Sequence, residues 1–368
     1  MANPNTPMIY IDASRYSNTG KKTGVENYSY HLINELAKQF GKEITLISPR
    51  KINLDVKQIV IPFPRLWTLL RLSWEIWRNR KIDNLFIPSH VLPLIRPKKT
   101  IITIHDVVFK YSPESYGFFS RIYLNWAAGY AVKHASRIIT PSEATKKDLI
   151  RFYKADPEKI AVIPLGFAPE KRENSTAALK KYGLGKMKYF LFLGRIEYKK
   201  NTDTLIKAFQ EFSKNNNEIK LVLAGFPGHG GKEIINSIPK ELKKHIVLTD
   251  YVKDDQKAAL LQNTLCFIFP SRFEGFGIPL LEAMNAGAPI IASDIPSSKE
   301  VAGECALYFE KEDAHALAGL MAKITKNTEV SEKLVTAYPE KLSRYSWEKC
   351  AGQIYKIMIE KKTLQKQK

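Results

Sequence analysis

The chain has 368 residues, of which 44% are hydrophobic and 26% charged, so it is long enough for two globular domains of ordinary composition. No run approaches the ~20 apolar residues of a membrane-spanning helix, and the polar Met1–Pro7 lacks the apolar core of a signal peptide, so we expect a cytoplasmic protein. The formal net charge of +20 indicates either an anionic partner or an extensive solvated basic surface.

The first half of the chain alternates between strand-like and helix-like patterns, which predicts an α/β architecture. The first predicted strand, Met8–Ser14, is followed by a glycine- and lysine-bearing loop, Arg15–Gly24, and by apolar residues at helical spacing over Val25–Lys38. Six further strands are predicted at Glu43–Ile47, Val60–Pro62, Asn84–Pro88, Thr100–His105, Arg137–Thr140 and Lys159–Pro164. Helices are predicted between them at Leu66–Asn79, Phe118–His134 and Glu143–Tyr153.

The positive charge is concentrated in Lys57–Lys99, which holds nine basic and two acidic residues. The same segment contains Trp67, Trp74 and Trp77 beside several aliphatic residues. A nucleic acid, an anionic membrane surface and a plainly solvated basic face all remain open as explanations. Because no nucleic-acid-binding motif accompanies the charge, we expect no nucleic-acid partner. A basic aromatic helix suits a lipid headgroup region, but the tryptophans could equally belong to the core.

A second alternating series follows a charged segment without clear periodicity, Phe167–Lys188, which we interpret as a linker. It opens with a predicted strand at Tyr189–Gly194. Further strands are predicted at Lys220–Gly225, Ile246–Asp250, Cys266–Pro270, Pro289–Ser293 and Ala306–Phe309. Helices are predicted at Thr202–Ser213, Gln256–Gln262, Pro279–Ala286 and Ala314–Ile324. Two doubly wound domains, joined near residue 170 with a ligand cleft between them, are therefore expected.

The C-terminal end predicts one more helix, Trp347–Glu360, with Ser346 as its N-cap. We expect this helix to pack back on the first domain and the tail Lys361–Lys368 to be disordered. The three cysteines are widely spaced and show no metal-ligand pattern, so we expect them to be reduced and buried: Cys266, Cys305 and Cys350.

Basic side chains follow the first strand of the second series. Arg195 comes directly after Gly194, and Lys200 lies five residues further on, just before a predicted helix. The planar fork of arginine, the point charge of lysine and the positive end of a helix dipole all favour phosphate oxygens. A solvated basic loop is the alternative, but the position at the carboxyl end of a strand favours a diphosphate site.

Two glutamates bracket a glycine-containing turn between another buried strand and a helix. Glu274 precedes the turn and Glu282 follows it within the helix, with seven residues between them. Gly275 and Gly277 allow a ligand to approach the backbone closely, and Pro279 suits the first helical turn. Together with the basic loop, this turn indicates a nucleotide-sugar site.

These two loops resemble those of the retaining glycosyltransferases of family 4, which have the GT-B fold. The resemblance rests on Gly194–Arg195 with Lys200, on Phe273–Met284 (Phe-Glu-Gly-Phe-Gly-Ile-Pro-Leu-Leu-Glu-Ala-Met), and on Ala286–Ser293. It extends over nearly the whole chain. It implies two Rossmann-like domains that face each other across a cleft: an acceptor-binding domain at 1–168, completed by a helix at 346–360, and a donor-binding domain at 169–345.

Two motifs of the first domain resemble the mannosyl- and rhamnosyltransferase branch that builds bacterial surface polysaccharides. They are Thr103–Asp106 (Thr-Ile-His-Asp) and Thr140–Glu143 (Thr-Pro-Ser-Glu). In this branch acceptors are often linked to lipids, so the resemblance implies a glycan or lipid-linked acceptor. An enzyme with such an acceptor could also bind peripherally to the inner face of the cell membrane.

The resemblance also implies a role for each matching residue. Arg195 and Lys200 would neutralise the donor diphosphate as the sugar–phosphate bond breaks, Glu282 would bind the ribose hydroxyls, and Glu274 would face the donor sugar. His105 matches a family position that contacts this sugar. The other implied donor-binding positions are Gly194, Gly275, Phe276, Gly277 and Ile278, Tyr251 and Val252 next to the base, and Gly24 in the loop that would close over the diphosphate.

Several weaker signals leave alternatives open. A lone histidine is more often structural, but the placement of His105 at a strand end favours function, whereas a structural role is favoured for His90. The glycine-rich Gly225–Gly231 either borders the donor base or is a plain turn. No Asp-x-Asp metal motif stands in a loop, and Asp254–Asp255 is interpreted as a helix start, so a metal-independent enzyme is expected.

We therefore expect a retaining hexosyltransferase that moves a hexose, with mannose the favoured sugar, from a GDP- or UDP-linked donor. The acceptor would be a glycan or lipid-linked saccharide in surface polysaccharide or glycolipid synthesis. One alternative is a GT-B enzyme that modifies a nucleotide sugar without transferring it, such as a 2-epimerase. The other is a basic protein that binds nucleic acid or membrane and carries a degenerate sugar site.

Overall fold

A computed structural model describes residues 8–18, 23–63, 66–169 and 176–360, which divide into two units. The first unit comprises the residues up to Val107, Ile122–Gly166 and those from Tyr345 onward. The second comprises Val108–Arg121 and Phe167–Arg344. The segment Val108–Arg121 thus belongs to the second unit, although sequence reasoning placed it in the first domain. The predicted disordered tail and the middle of the first glycine loop, residues 19–22, lie outside the described residues.

The first unit contains a parallel sheet with the strand order β3-β2-β1-β4-β5-β6-β7 among its described residues. Each strand is short, and all except the two edge strands, β3 and β7, bury most of their side chains in the core. The strands are β1 Ile9–Asp12, β2 Ile44–Ser48, β3 Lys57–Val60, β4 Asn84–Ile87, β5 Lys99–Thr103, β6 Arg137–Thr140 and β7 Ile160–Val162.

The prediction of a strand at Val60–Pro62 is wrong, because β3 ends at Val60. This edge strand leaves its side chains exposed or half-buried, so it needs no apolar run to be stable. A hydrogen bond also holds the segment before β3. The side chain of Gln58 donates to the carbonyl of Ile52 over 2.7 Å. The apolar Ile61, which suggested the strand, packs into the core just after it.

The helices of the first half are α1 Gly24–Phe40, α2 Ser73–Arg78, α3 Phe118–His134 and α4 Glu143–Tyr153. Thr23 caps α1 in a capping box with Glu26. The single helix expected at Leu66–Asn79 is instead a wider π-helical turn over Trp67–Leu72 that continues into α2.

The second unit has its own parallel sheet, whose described strands follow the order β10-β9-β8-β11-β12-β13. The strands are β8 Tyr189–Leu193, β9 Lys220–Ala224, β10 Ile246–Leu248, β11 Cys266–Phe269, β12 Ile290–Ser293 and β13 Leu307–Phe309. Its helices are α5 Thr176–Lys181, α6 Thr202–Ser213, α7 Gly231–Asn236, α8 Lys240–Lys243, α9 Asp254–Gln262, α10 Ile278–Ala286, α11 Pro296–Ala302, α12 Ala314–Lys326, α13 Thr328–Thr336 and α14 Tyr338–Leu342.

The interpretation of Phe167–Lys188 as a linker is wrong in part, because α5 lies within it. Leu179 and Leu184 are buried, and α5 packs on α9. Two apolar anchors in a basic segment are too few to create a recognisable helical period. Sequence reasoning also missed α7, α8, α11, α13 and α14, which are short.

The last helix, α15 Trp347–Ile359, follows the second unit in sequence but packs on α1 of the first unit, as expected. The hydroxyl of Ser346 caps it by accepting from the amide of Lys349. Asn84 in β4 donates a 2.9 Å hydrogen bond to the carbonyl of Met358. Gly166 fits against Trp347 so closely that an added Cβ would lie 2.4 Å from the tryptophan Cα. This close fit fixes the start of α15.

Both sheets are doubly wound, and each has one switch point where neighbouring strands connect in opposite directions. In the first sheet the switch point lies between β1 and β4, where Tyr10 pairs with Leu85. In the second it lies between β8 and β11, where Phe190 pairs with Cys266. Ligands of open parallel sheets bind at the carboxyl ends of the strands beside such points. The second switch point is therefore the place to examine first.

Candidate active site

The loop after β8 presents an exposed arginine at the switch point of the second sheet. Gly194 adopts a φ of 146°, a value that favours glycine, and Arg195 follows it with an exposed side chain. The side chain of Arg195 forms no ion pair with any described residue. A short turn over Tyr198–Lys200 then leads into α6. The arginine is thus available for an anionic ligand.

Lys200 and Glu274 join the two loops that flank the switch point. The Lys200 ammonium forms an ion pair with Oε1 of Glu274, which follows β11. The buried hydroxyl of Ser271 donates to the same carboxylate oxygen over 2.7 Å. The two charged side chains are only 23% and 17% exposed. The structure thus brings a residue predicted to bind the diphosphate into direct contact with a residue predicted to face the sugar.

Glu282, the predicted ribose ligand, has a partner that sequence reasoning missed. Its Oε1 accepts from the ammonium of Lys257 over 2.7 Å, and both side chains are mostly shielded from solvent. Lys257 lies on α9 and Glu282 on α10, so the pair ties these neighbouring helices together. No sequence spacing signals the pair, because only the packing of α9 on α10 brings the two residues together. The lysine therefore also orients the carboxylate.

Two further residues hold the basic loop against the loop after β11. The guanidinium of Arg272 makes two 2.9 Å hydrogen bonds to the carboxylate of Asp203 at the start of α6. The buried Asn201 has a left-handed φ of 58° and donates from Nδ2 to the carbonyl of Pro270 over 3.0 Å. Asparagine tolerates this conformation better than most residues do. An asparagine between a basic loop and a helix could have signalled such a role in the sequence.

The glycine-rich segment after β9 supports the basic loop from the other side. An added Cβ at Gly225 would lie 2.0 Å from the carbonyl oxygen of Gly194, and one at Gly231 would lie 2.2 Å from that of Ile196. Pro227 forms a parallel bridge with Ile196. Glycine is therefore needed at these positions, because the two loops approach each other too closely for a side chain.

Tyr251, predicted next to the base, stacks on an exposed aromatic side chain. The rings of Tyr251 and Phe226 are 6.2 Å apart with an interplanar angle of 17°. Val252 follows and is half-buried. These residues follow the ends of β9, which neighbours β8 in the sheet, and of β10, which neighbours β9. The arrangement places flat apolar surface beside the carboxyl edge of the sheet.

The turn before α10 has the geometry that the sequence predicted. Gly277 has a φ of 117°, Ile278 begins the helix, and Pro279 occupies its first turn. Phe276 is buried and anchors the turn, while Gly275 is half-buried. The start of α10 therefore directs its positive dipole end to the side of the sheet where Glu274 lies.

Phe273, the residue before Glu274, packs against an aromatic ring and a lysine. Tyr111, in the segment that joins the second unit, stacks on Phe273 with ring centroids 4.3 Å apart. The ammonium of Lys311 lies 4.2 Å from the centroid of the same Phe273 ring. Sequence reasoning gave Tyr111 and Lys311 no role. These contacts restrain the loop that carries Glu274.

His105 lies just past β5 in the first unit and is largely enclosed by protein. Its Nε2 lies 3.2 Å from the carbonyl of Pro88, and its ring meets that of Tyr28 edge to face. Burial lowers the pKa of His105 to about 4, although the hydrogen bond to Pro88 opposes this shift. The imidazole is therefore neutral at pH 7. Because a carbonyl only accepts, Nε2 carries the proton and Nδ1 is left as an acceptor.

The other predicted residues of the first unit have simpler surroundings. Gly24 begins α1, and an added Cβ there would meet no atom within 4 Å, so packing does not demand a glycine. Burial also lowers the pKa of His90.

The cysteines are free and buried, as expected. In the described ranges no cluster of three metal-ligating side chains occurs, and no helix is long and apolar enough to cross a membrane.

Comparison with known proteins identifies relatives of both units. The family model "Glycosyltransferase Family 4" matches residues 22–171, and the model "Glycosyl transferases group 1" matches residues 174–341. O-antigen chain mannosyltransferase B of Escherichia coli is 23% identical over 91% of this chain and 87% of its own length. O-antigen chain mannosyltransferase RfbU of Salmonella typhimurium is 28% identical over 80% of this chain and 78% of its own.

Among solved structures, HepE of Anabaena in complex with UDP and glucose superposes with a TM-score of 0.71. It is 16% identical, and the match covers 96% of this chain and 99% of HepE. At this identity the likeness shows the fold alone, and it confirms the expected GT-B architecture.

Proposed function

Because the chain belongs to glycosyltransferase family 4, we propose that it transfers a mannosyl group from a nucleotide diphosphate sugar, with GDP or UDP as the leaving group. The acceptor is a glycan or a lipid-linked saccharide in surface polysaccharide or glycolipid synthesis. The single observation that carries the donor assignment is the Lys200–Glu274 ion pair at the switch point of the second sheet, beside the exposed Arg195. The named mannosyltransferases among its relatives support the sugar.

The charges of the second unit suit a sugar diphosphate. Arg195 and Lys200 would neutralise the diphosphate and the start of α10 would add its amides, so no metal ion is required in this proposal. Glu282, held by Lys257, would accept hydrogen bonds from the ribose hydroxyls. Once a diphosphate attracts Lys200, the carboxylate of Glu274 would be released in part to accept a hydrogen bond from a sugar hydroxyl.

We propose transfer with retention of the anomeric configuration. The bond between the anomeric carbon and the phosphate oxygen breaks, and the acceptor oxygen forms its bond to the same face of that carbon. The acceptor proton passes to the departing phosphate oxygen, so the products are a glycoside and a nucleoside diphosphate. Neutral His105 would accept a hydrogen bond from the donor sugar at Nδ1, and it carries no charge that would repel an oxocarbenium-like centre.

A nucleotide screen tests the donor assignment. One of GDP, UDP or dTDP is expected to raise the melting temperature, because a ligand at 100 times its Kd adds about 2.7 kcal/mol of stability. Glu282→Gln should weaken that nucleotide at least about tenfold, since it removes a charge-assisted hydrogen bond. The exposed Glu241→Gln in the same unit is the matched control and should bind normally. Unchanged affinity of Glu282→Gln would contradict the ribose assignment.

Two further assays separate the alternative functions. An enzyme that modifies the nucleotide sugar without transfer, such as a 2-epimerase, would convert the donor to an equilibrium mixture in the absence of an acceptor. A nucleic-acid-binding protein would bind no nucleotide and would bind DNA with steep salt dependence. Retention is checked by the anomeric configuration of the product, and an inverted product would exclude the same-face mechanism.

We also propose that the first unit associates peripherally with an anionic membrane. Trp74 and Trp77 on α2 are 48% and 53% exposed, whereas Trp67 is buried and donates to the carbonyl of Ile61. Arg71 and Arg78 lie 4.6 and 5.3 Å from the Trp74 ring centroid. Exposed indole rings beside arginines suit the headgroup region of anionic lipids.

Vesicle sedimentation tests this association. The Trp74→Gln/Trp77→Gln double variant is expected to lose about tenfold in partition onto vesicles rich in phosphatidylglycerol, because two interfacial side chains are removed. Trp67 is left intact because its burial ties it to folding. Met187→Gln, an exposed apolar site in the second unit, is the control. Equal partition of the double variant and the wild type would contradict the proposal.

A further inference from the structure

A cavity of about 680 Å³ lies in the first unit. It opens among the loops that follow β1, β2, β3 and β4, which is the carboxyl edge of the first sheet. Its volume falls within the range of small-molecule sites, and this edge is where ligands of parallel sheets bind. Six lining residues define its chemistry: Arg15, Arg50, Phe63, Leu66, Leu69 and Tyr123.

Two arginines that line the cavity form no ion pair with any described residue. They are Arg15 and Arg50, and both are exposed. The nearby carboxylate of Asp12 is buried, and each of its oxygens accepts one hydrogen bond. They accept from the amide of Ser14 over 2.8 Å and from the hydroxyl of Thr68 over 3.1 Å. Two guanidinium groups without a carboxylate partner favour a phosphate.

Apolar and aromatic side chains also line the cavity, and some of them are exposed. Phe63 and Leu66 remain 40% and 58% exposed although they line the cavity. Beyond them, Leu70 at the π-helical turn is 49% exposed, and Ile122 and Trp126 on α3 are 51% and 43% exposed. Exposed side chains of this size in neighbouring elements are unusual for a water-facing surface. An apolar chain leaving the cavity would cover them.

We propose that this cavity binds the phosphate end of a lipid phosphate, with Arg15 and Arg50 on the phosphate and Phe63, Leu66, Leu69 and Tyr123 along the first carbons of the chain. That this lipid phosphate belongs to the acceptor rests on the proposed function. Its binding in the cavity does not. A free phosphate would use the arginines and leave the apolar side chains bare. An uncharged lipid would leave the two arginines without a partner.

Calorimetric titration with farnesyl phosphate, farnesol and inorganic pyrophosphate tests the site. Farnesyl phosphate is expected to bind at least tenfold more tightly than either of the others. Arg15→Gln and Arg50→Gln should each weaken it about tenfold, because each removes a charge-assisted hydrogen bond. Arg137→Gln is the matched control, since this exposed arginine lies at the amino end of β6, on the opposite edge of the same sheet.

Three outcomes would overturn the inference. They are equal binding of farnesyl phosphate to the wild type and the double Arg15→Gln/Arg50→Gln variant, pyrophosphate binding as tight as that of farnesyl phosphate, and farnesol binding as tight. The melting temperatures of both single variants are measured in parallel, and nucleotide stabilisation is measured for Arg50→Gln, because Arg50 lies outside the loop implied to close over the diphosphate. Unchanged melting temperatures show that the variants are folded, so a failed lipid titration with intact nucleotide binding by Arg50→Gln would remove this inference and leave the proposed function standing.

Discussion

Arg195→Ala and Lys200→Ala are each expected to lower kcat about 10²–10³-fold with little effect on melting temperature, because each removes a positive charge that acts on the departing diphosphate. Both residues stand at the switch point of the second sheet, and Lys200 is held there by Glu274. Lys199→Ala removes the same charge one residue away and is the matched control, since Lys199 pairs with Glu197 instead. The assays are run in excess EDTA, because the proposal assigns the neutralising charge to the chain itself.

The Lys200 result has two physical explanations that a second variant separates. Removing the lysine leaves the Glu274 carboxylate without its cation, and that carboxylate would then repel a diphosphate. If repulsion alone caused the loss, Lys200→Ala would have no effect on kcat in the Glu274→Gln background. Direct neutralisation by Lys200 predicts that Lys200→Ala lowers kcat in that background as well. Wild-type kcat in both single variants, with a confirmed donor, would show that the diphosphate assignment is wrong.

Gly225→Ala is expected to destabilise the protein by about 3 kcal/mol or more, which is a large effect for one methyl group. Gly225 has a φ of 150°, and the added Cβ would lie 2.0 Å from the carbonyl oxygen of Gly194. Both the backbone conformation and the overlap would have to relax, and the overlap involves backbone that cannot rotate away. Thermal unfolding is expected to shift down by roughly 10 °C.

Gly319→Ala is the matched control for this change. It lies within α12, where an added Cβ would meet no atom within 4 Å. The same substitution there should raise stability by up to about 1 kcal/mol, since alanine is the better helix former. Opposite signs for the two variants are therefore expected. A melting temperature of Gly225→Ala equal to that of the wild type would contradict the close approach of the loops after β8 and β9.

The sequence predicted well those elements whose side chains all face the core. Central strands such as Tyr189–Leu193 are continuous apolar runs because parallel sheets are covered on both faces. The edge strand Lys57–Val60 was misplaced, and the helix Thr176–Lys181 was missed, because neither buries enough apolar surface to leave a period in the sequence. Prediction failed where an element is held by a few buried side chains or by hydrogen bonds.

The sequence by itself determined the family, the two doubly wound sheets and the loops that carry Arg195 and Glu274. These follow from local signals, since hydrophobic period, glycine, proline and capping residues act over a few positions.

Only the tertiary structure decided which charges meet. Lys200 and Glu274 lie 74 positions apart in the sequence, and the packing of β11 beside β8 brings them together. The Lys257–Glu282 pair likewise depends on α9 packing on α10. Tertiary packing likewise buried Trp67 and left Trp74 exposed within one basic segment. An ion pair or a burial depends on distance in space, and no periodicity along the chain encodes that distance.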